Sequence, residues 1–362
     1  MRTLDIPLTE SGGRLDKYLQ KYLNGAPKNF IYKMLRLKRI KLNGTRADGN
    51  EILQSGDNII MYFSDETIEN FSVQLSGPSS GPSSAPKKVV KSAKPLDIIF
   101  EDANLLIVNK PVGLLVHSDT ADNRDTLIDR IKYHLLFNDE KINDSKNWDA
   151  KEGRNRTFSP SVSNRLDRNT GGVVICGKNP AAVRSLNKMI ADDDVKKQYL
   201  AVVCGIVRKP IVLEGEIFKD QKNNISRVIN HPAPRASLQG GELNNYDANG
   251  MIGSRSIKTE MIPERFGNDI TLVRVNLYGG RSHQIRAHLQ SAGYPIVGDP
   301  KYGNPQLNRR LRLKYQLLFA ERVIFMAQGE LLSQYYGRKW IAPPPEHFAS
   351  FIRTHFGGGC IE

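Results

Sequence analysis

One stretch of the sequence, Ser163 to Lys178, places a carboxylate, an arginine and a tight turn where they could do chemistry. Asp167 follows Arg165 and comes just before a Thr-Gly-Gly turn and an apolar run. A carboxylate held beside an arginine in a cleft stays ionised and can act as a nucleophile or a base. The same pattern also fits an ordinary turn in which Asp167 caps the backbone. On this pattern alone, the turn is the better interpretation.

Further motifs, which occur in order along the chain, favour the catalytic interpretation. The segments are NKP at 109–111 with Gly113, Val116 and His117, NRLDRNTGG at 164–172, KQYLA at 197–201, GRSHQIR at 280–286 and PIVGD at 295–299. Together they resemble the RluA-like family of RNA pseudouridine synthases, over about residues 95 to 350. Two positions differ from the family pattern: Asn164 stands where most members have His, and Gly171 where most have Ser.

The resemblance implies a fold and a set of catalytic residues. The fold would be α+β, with a mixed, largely antiparallel sheet and a basic cleft. Asp167 would be the nucleophile, and Arg281 would pair with it and hold it ionised and oriented. Tyr199 would stack on the uracil, near the C5 proton.

The resemblance also implies contacts with a flipped uridine, because a stacked uridine hides the atoms that react. Arg165 would contact phosphate or fill the gap left by the flipped base. Ile296 or Val297 would supply the apolar wall behind the base.

A carboxylate without a cofactor suits the isomerisation of uridine. Cutting the N1–C1′ bond builds positive character at the sugar, which a carboxylate can stabilise or capture. Asp167 could attack C1′ directly or first remove a sugar proton. A G-x-x-x-x-G-K spacing at 172–178 is followed by Asn179 and encloses only Val, Val, Ile and Cys, so we reject a phosphate-binding loop. The seven His show no metal-ligand spacing, and we expect no cofactor and no metal.

The net charge of +14 and the isoelectric point near 9.6 favour a polyanionic partner, either nucleic acid or an anionic membrane surface. No apolar run approaches the ~20 residues of a membrane span. The first ten residues lack the apolar core of a signal peptide. The three cysteines lie far apart, which argues against a disulfide framework or a zinc cluster. We therefore expect a cytoplasmic protein, with no membrane partner and as a monomer.

Residues 12–64 predict a small, basic α/β domain. Two helical apolar stripes precede the tight-turn signal Asn43-Gly44 and a strand near 59–63. Residues 14–46 contain ten basic residues and one acid, Asp16. This module resembles the S-four type of RNA-binding domain, although a merely solvated helix face is the alternative. The candidate RNA contacts are Lys17, Lys33, Arg36, Lys38 and Arg39.

The rest of the chain predicts a linker and a catalytic domain. Residues 72–94 are rich in Ser, Gly, Pro and Lys, so we expect a flexible linker. The catalytic domain, 95–350, should include a helix over 126–137, a surface insertion over 138–160 and a helix from Arg281 to Ala292. Residues 208–254 contain short strands that the pattern does not place.

The function expected from these observations is isomerisation of specific uridines in RNA, with large-subunit ribosomal RNA as the expected substrate. Two alternatives are a transfer-RNA pseudouridine synthase and a non-catalytic RNA-binding protein of ribosome assembly. Asp167, Tyr199 and Arg281 together argue against the non-catalytic alternative, because a site without activity would be free to lose them.

Overall fold

The computed structural model describes residues 1–8, 10–71, 95–118, 125–141, 160–220, 225–230, 252–326 and 331–357. The predicted linker, 72–94, and most of the predicted insertion, 138–160, lie outside the described residues.

The N-terminal module has two amphipathic helices packed on a four-stranded antiparallel sheet. Its elements are β1 (Arg2–Asp5), α1 (Leu15–Tyr22), α2 (Lys28–Arg36), β2 (Ile40–Leu42), β3 (Thr45–Arg46), β4 (Asn58–Met61) and α3 (Asp65–Phe71), with sheet order β1-β4-β2-β3. The predicted helices and hairpin are present. Strand β1 also belongs to this sheet, since Arg2 pairs with Met61. Apolar side chains from both helices, such as Leu19 and Ile31, are fully buried in its core.

The catalytic part is built on an eleven-stranded mixed sheet. Its strands are β5 (Ile98–Glu101), β6 (Leu105–Lys110), β7 (Ser161–Val162), β8 (Gly171–Gly177), β9 (Val195–Cys204), β10 (Ile211–Asp220), β11 (Ile225–Asn230), β12 (Ile252–Phe266), β13 (Ile270–Tyr278), β14 (Leu318–Phe325) and β15 (Lys339–Ile341). The main order is β11-β10-β12-β13-β9-β14-β8-β6-β5, with β15 beside β14 and β7 beside β8. Among these described strands, only β8 and β14 pair in parallel. The predicted α+β class with a largely antiparallel sheet is confirmed.

The described residues of the catalytic part form five α-helices. They are α4 (Leu127–Lys141), α5 (Pro180–Ala191), α6 (Gln284–Ser291), α7 (Pro305–Arg310) and α8 (Glu346–Phe356), with a 3₁₀ turn at Ser333–Tyr335. The helix predicted from Arg281 starts three residues later, because His283 has φ 58° and a left-handed residue cannot continue a right-handed helix. Strands β10 and β11 lie in the region 208–254, which the sequence pattern did not place, and residues 221–224 and 231–251 of that region lie outside the described residues.

Side chains alternate between two cores on opposite faces of the sheet. Along β9, Leu200 and Val202 pack in the core that also contains α5 and α8 residues, whereas Tyr199 and Ala201 pack in the core that contains α6 residues. This period of two follows from strand geometry. Tyr199 therefore lies on the face of the sheet that packs against α6, and the candidate site lies on that face.

Candidate active site

Asp167 lies in the loop between β7 and β8, and this loop is a tight turn. The backbone N–H of Thr170 donates to the Asp167 carbonyl oxygen over 3.0 Å. The Asp167 carboxylate itself is 27% exposed, so it is open to a ligand but shielded from bulk water on most sides. Sequence and structure agree on a turn here, yet the carboxylate does not cap that turn. It reaches a guanidinium instead.

Two neighbours fix the geometry of the Asp167 loop. The Asn164 amide donates to the Val173 carbonyl oxygen over 3.0 Å and accepts from the Ile175 N–H over 2.8 Å, so it closes the loop onto β8. Gly172 has φ 118°, and a Cβ atom there would lie 2.0 Å from the Ala320 carbonyl oxygen. Only glycine combines that φ with that approach. Asn164, which differs from the family pattern, thus has a definite structural role.

Lys110 binds the same loop through backbone carbonyl oxygens. Its buried ammonium donates to the carbonyl oxygens of Leu114 over 2.7 Å, Pro111 over 3.0 Å and Arg168 over 3.2 Å. Burial lowers the pKa of Lys110 to about 7, and the negative charge of Asp167 opposes that shift. The NKP motif therefore acts on the residue next to Asp167 through the Arg168 carbonyl.

The guanidinium that pairs with Asp167 belongs to Arg286, and the predicted pairing with Arg281 is wrong. The Arg286 Nη1 atom lies 2.6 Å from Asp167 Oδ2. Arg281 precedes α6 and is exposed, whereas Arg286 lies inside α6 and is directed into the protein. Both arginines belong to the GRSHQIR segment, so the motif identifies the segment but not the arginine that pairs with Asp167.

Arg286 is held by a second carboxylate, Asp299, which the sequence analysis did not assign. Arg286 Nε donates to Asp299 Oδ2 over 2.6 Å, and Nη2 donates to Oδ1 over 2.9 Å. The Asp299 side chain is fully buried and also accepts the backbone N–H groups of Lys301 and Tyr302. Burial alone would lower the pKa of Arg286, but Asp299 and Asp167 outweigh it and raise that pKa. Such a bidentate pair fixes both the charge and the orientation of the guanidinium facing Asp167.

Tyr199 lies on β9 beside this ion pair and is 5% exposed. Burial, followed by the negative charge of Asp167, raises the pKa of the Tyr199 hydroxyl. The hydroxyl therefore stays protonated at neutral pH, which suits a stacking surface or a hydrogen-bond donor. A neutral phenol is poorly suited to accept a proton.

A cleft joins these groups and exposes them to a ligand. Its lining residues are Arg165, Leu166, Asp167, Thr170, Tyr199, Leu277, Gly280, Arg281, His283, Gln284, Ile285, Arg286 and Leu318. Arg165 and Arg281 are exposed at this cleft, in positions compatible with RNA contact.

The predicted apolar wall is wrong in its residues. Ile296 and Val297 are fully buried and pack in the cores on opposite faces of the sheet. Neither has a surface to offer to a base. The apolar side chains that line the cleft are Leu166, Leu277, Ile285 and Leu318.

The loop that carries Arg281 into the cleft is fixed by hydrogen bonds to Lys197, Asp193 and Gln284. The buried Lys197 ammonium donates to the Gly279 carbonyl oxygen, and the Gly279 N–H donates to Asp193 Oδ1 over 2.8 Å. Gln284, which is buried, accepts the Arg281 N–H over 3.0 Å and so caps the turn before α6. The contacts of Lys197 and Asp193 with Gly279 join residues far apart in the sequence, so short sequence patterns do not predict them.

The cations of the N-terminal module do not belong to the cleft. Lys17, Lys33, Arg36, Lys38 and Arg39 are all exposed on the module surface. Asp16, the only acid of residues 14–46, is buried and paired with Arg14. The exposed charged side chains of residues 14–46 are therefore all positive.

A larger cavity, of about 460 Å³, lies beyond Lys110 and lacks the reactive groups. It is lined by Lys110, Leu114, Leu127, Arg130 and Phe319, among others, and contains none of Asp167, Tyr199 and Arg286.

In the part of the chain that the structure describes, no three His, Cys, Asp or Glu side chains are grouped as metal ligands. Within the same residues, no helix has both the length and the apolar character needed to cross a membrane.

Two family models and several known proteins match this chain. The family model described as RNA pseudouridylate synthase matches residues 104–291, and the model described as S4 domain matches residues 13–59. The Ribosomal large subunit pseudouridine synthase C of Haemophilus influenzae is 30% identical over 312 residues, 86% of this chain and 82% of that protein. The Uncharacterized RNA pseudouridine synthase YlyB of Bacillus subtilis is 26% identical over 306 residues, 84% of each chain. Among solved structures, Human RNA Pseudouridylate Synthase Domain Containing 4 is 19% identical, covers 71% of this chain and 91% of its own, and has a TM-score of 0.49.

The matched region contains Asp167, Tyr199 and Arg286, which the fold brings to one cleft. The second match contains the exposed cations of the N-terminal module. The chain therefore belongs to the RNA pseudouridylate synthase family and is an isomerase with an S4 domain at its N-terminal end.

Proposed function

We propose that this protein isomerises uridine to pseudouridine in large-subunit ribosomal RNA, with Asp167 as the nucleophile and without a cofactor. The observation that carries the proposal is the Asp167–Arg286–Asp299 chain of ion pairs beside Tyr199. It presents one ionised carboxylate to a cleft that also offers an aromatic ring.

The isomerisation needs no atoms beyond those of the uridine. The N1–C1′ bond breaks and its electron pair stays with the uracil, so the sugar becomes electron-poor. Asp167 stabilises or captures that sugar centre. The uracil then turns, C5 bonds to C1′, C5 loses its proton and N1 gains one.

Each neighbouring residue has a separate task in this scheme. Arg286 orients the Asp167 carboxylate, since its Nη1 donates a hydrogen bond to Asp167 Oδ2 over 2.6 Å. Tyr199 provides the aromatic surface against which the flipped uracil lies. Exposed Arg165, at the edge of the cleft, contacts phosphate or takes the place of the flipped base.

Ribosomal RNA is favoured by two independent observations. Two relatives of similar length carry the name Ribosomal large subunit pseudouridine synthase C, one from Haemophilus influenzae and one from Escherichia coli, at 30% and 28% identity. The S4 domain exposes a positive surface that suits a large structured RNA. A cytoplasmic location follows from such a substrate.

The experiment is a comparison of pseudouridine maps of total RNA from cells with and without the gene. We expect one or more sites in large-subunit ribosomal RNA to lose the modification, and expression of the gene from a plasmid to restore it. Expression of an Asp167→Asn variant should fail to restore it. Loss of sites in transfer RNA alone would reject the ribosomal assignment, and unchanged maps would reject the proposal as a whole.

A further inference from the structure

His283 lies in the cleft with a backbone conformation that its residue type rarely adopts. Its φ is 58°, in the left-handed region, and it is the last residue before α6. The side chain lines the same cleft as Asp167, Tyr199 and Arg286. Non-glycine residues in this region cluster at functional sites, because the surrounding structure has to maintain the strain. The mechanism proposed for Asp167, Arg286 and Tyr199 assigns no role to His283.

The hydrogen bonds of Tyr302 favour one tautomer of the His283 ring. The Ser226 N–H donates to the Tyr302 hydroxyl oxygen over 2.7 Å, so that oxygen already accepts one bond. The same hydroxyl lies 2.9 Å from His283 Nδ1. The hydroxyl hydrogen of Tyr302 can be donated to Nδ1, and we assign Nδ1 as the acceptor. In a neutral imidazole the proton is then on Nε2.

The orientation of the ring is fixed as well as its tautomer. The rings of His283 and Tyr302 meet edge to face, with centroids 5.7 Å apart and planes at 81°. The Arg286 guanidinium lies 5.0 Å from the centre of the Tyr302 ring. Tyr302 therefore connects the His283 ring to the residue that orients Asp167.

His283 Nε2 is left available to a ligand. Among the described residues, the only hydrogen bond of the His283 side chain is the one that Nδ1 makes. Burial lowers the pKa of His283, and among its charged neighbours Asp167 and Asp299 oppose that shift while Arg286 and Lys301 add to it. A neutral ring with a fixed Nε2–H is a hydrogen-bond donor.

We propose that His283 binds the flipped uracil, with its Nε2–H donating a hydrogen bond to a carbonyl oxygen of the base. This inference rests on the proposed function. When the N1–C1′ bond breaks, the uracil carries the electron pair and its carbonyl oxygens share the negative charge. A donor fixed in the protein is then worth more in the transition state than in the ground state.

The symmetry of uracil lets a single fixed donor serve before and after the base turns. Rotation of the ring by half a turn about its N3–C6 axis exchanges N1 with C5, and O2 with O4. A donor that holds one carbonyl oxygen before the rotation therefore holds the other afterwards. His283 does not need to move, which agrees with a ring held by Tyr302 on one edge.

The test uses the full-length protein and large-subunit ribosomal RNA transcribed with uridine tritiated at C5, and it measures the release of tritium. His283→Phe keeps a ring but has no donor, and we expect its kcat to fall by about ten- to a hundredfold, the range for a hydrogen bond to a charged group. RNA affinity should stay near the wild-type level. Thermal unfolding is measured in parallel, because Phe tolerates the left-handed backbone at this position less well than His. His283→Gln, whose amide places an N–H near the position of Nε2, should recover a large part of the rate. His347→Gln, an exposed histidine of α8, is the matched control and should match the wild type.

A second variant protects the test against a folding defect. Asn tolerates the left-handed region but its amide is too short to replace Nε2, so His283→Asn should fold and be as slow as His283→Phe. Wild-type kcat in both of these variants would overturn the inference alone. A Gln variant as slow as Phe would also overturn it, because an N–H donor near the position of Nε2 would then not restore turnover. Absence of tritium release by the wild-type protein would overturn the proposed function, and the inference with it.

Discussion

Asp167 and Arg286 are separated by 119 residues in the chain and joined by an ion pair of 2.6 Å. The loop between β7 and β8 brings the carboxylate to the pair, and the first turn of α6 brings the guanidinium. On its other side Arg286 is fixed by Asp299, which has no exposed side-chain surface. The active carboxylate is thus oriented by a guanidinium that cannot itself turn away.

The first prediction separates the two arginines of the GRSHQIR segment. Arg286→Met should abolish activity, and because it leaves Asp299 buried without its partner it should also lower the free energy of unfolding by about 3–5 kcal/mol. Arg281→Met should unfold like the wild type, since Arg281 is exposed. Urea denaturation and tritium release on both variants measure the difference.

Arg281→Met serves as the control for charge, because each variant removes one cation from the same segment. We expect it to keep kcat within a few-fold and to weaken RNA binding at most modestly. If Arg281→Met keeps wild-type stability but loses all turnover, Arg281 rather than Arg286 is the catalytic arginine.

The second prediction concerns the Asp167 carboxylate. Asp167→Asn keeps the shape of the side chain but removes its negative charge, so turnover should be lost. RNA affinity should change little, because removing a negative charge does not weaken attraction for a polyanion. Single-turnover assays with excess enzyme and binding assays on the same RNA measure both quantities. Asp192→Asn, at an exposed position after α5, provides the control, and turnover by Asp167→Asn above background would contradict the role.

The third prediction concerns the Tyr199 hydroxyl. Burial and the charge of Asp167 raise its pKa, so at neutral pH it is a protonated phenol. If the hydroxyl takes part in handling the C5 proton, Tyr199→Phe should bind RNA normally and stall before the final product. Tyr199→Leu, which also loses the aromatic surface, should in addition bind the RNA less tightly. A Phe variant as fast as the parent protein would limit Tyr199 to stacking.

The sequence identified the segments of the site better than the individual contacts within them. Asp167 and Tyr199 follow from motifs in which each residue has one candidate of its type. GRSHQIR offers two arginines, and only the position of the helix start decides between them. His283 interrupts the helix in the left-handed region, so Arg286 rather than Arg281 lies on the helix face directed at Asp167.

The apolar wall shows a different limit of the sequence pattern. Ile296 and Val297 have the residue types expected of an apolar wall behind a base. They belong to the same PIVGD segment as Asp299, which does belong to the site. Whether an apolar residue lines a cleft or fills a core depends on what packs on it from the other side. That packing comes from strands that lie far apart in the chain. For the same reason, the roles of Lys110 and Lys197 as clamps on backbone carbonyls could not be predicted locally.

The fourth prediction is a dependence of stability on pH that arises from His288. His288 is fully buried, with Nδ1 3.0 Å from the Thr259 hydroxyl, and burial lowers its pKa to about 4. An unfolded His has a pKa of about 6.5, so between these values the unfolded chain binds more protons than the folded one. The contribution of His288 to stability is therefore complete above pH 6.5 and declines as the pH falls towards 4.

The measurement compares the wild type with His288→Leu by urea denaturation at pH 7, 6, 5 and 4. Carboxylates titrate in both proteins, so the difference between the two curves isolates His288. We expect the wild type to lose a few kcal/mol more than the variant across this range, according to the linkage between pKa and stability. Parallel curves would show that His288 titrates alike in both states.

The last prediction tests whether the N-terminal module contributes affinity through charge. Lys33, Lys38 and Arg39 are exposed on a segment whose single acid is buried. Replacing all three by Gln in the full-length protein should weaken binding to ribosomal RNA at low salt and raise KM much more than it lowers kcat. For each RNA phosphate that the module no longer neutralises, the slope of log affinity against log salt should fall by roughly 0.7 to 0.9.

A matched triple variant, Lys188, Lys339 and Arg353 to Gln, removes the same charges from elements whose apolar residues pack on the sheet face opposite to Tyr199. It lowers the net charge of the protein by the same amount, so it reports the general effect of charge on RNA binding. If the module binds RNA directly, its triple variant flattens the salt slope and the control does not. Equal slopes in the two variants would show that the module acts only through the net charge of the protein.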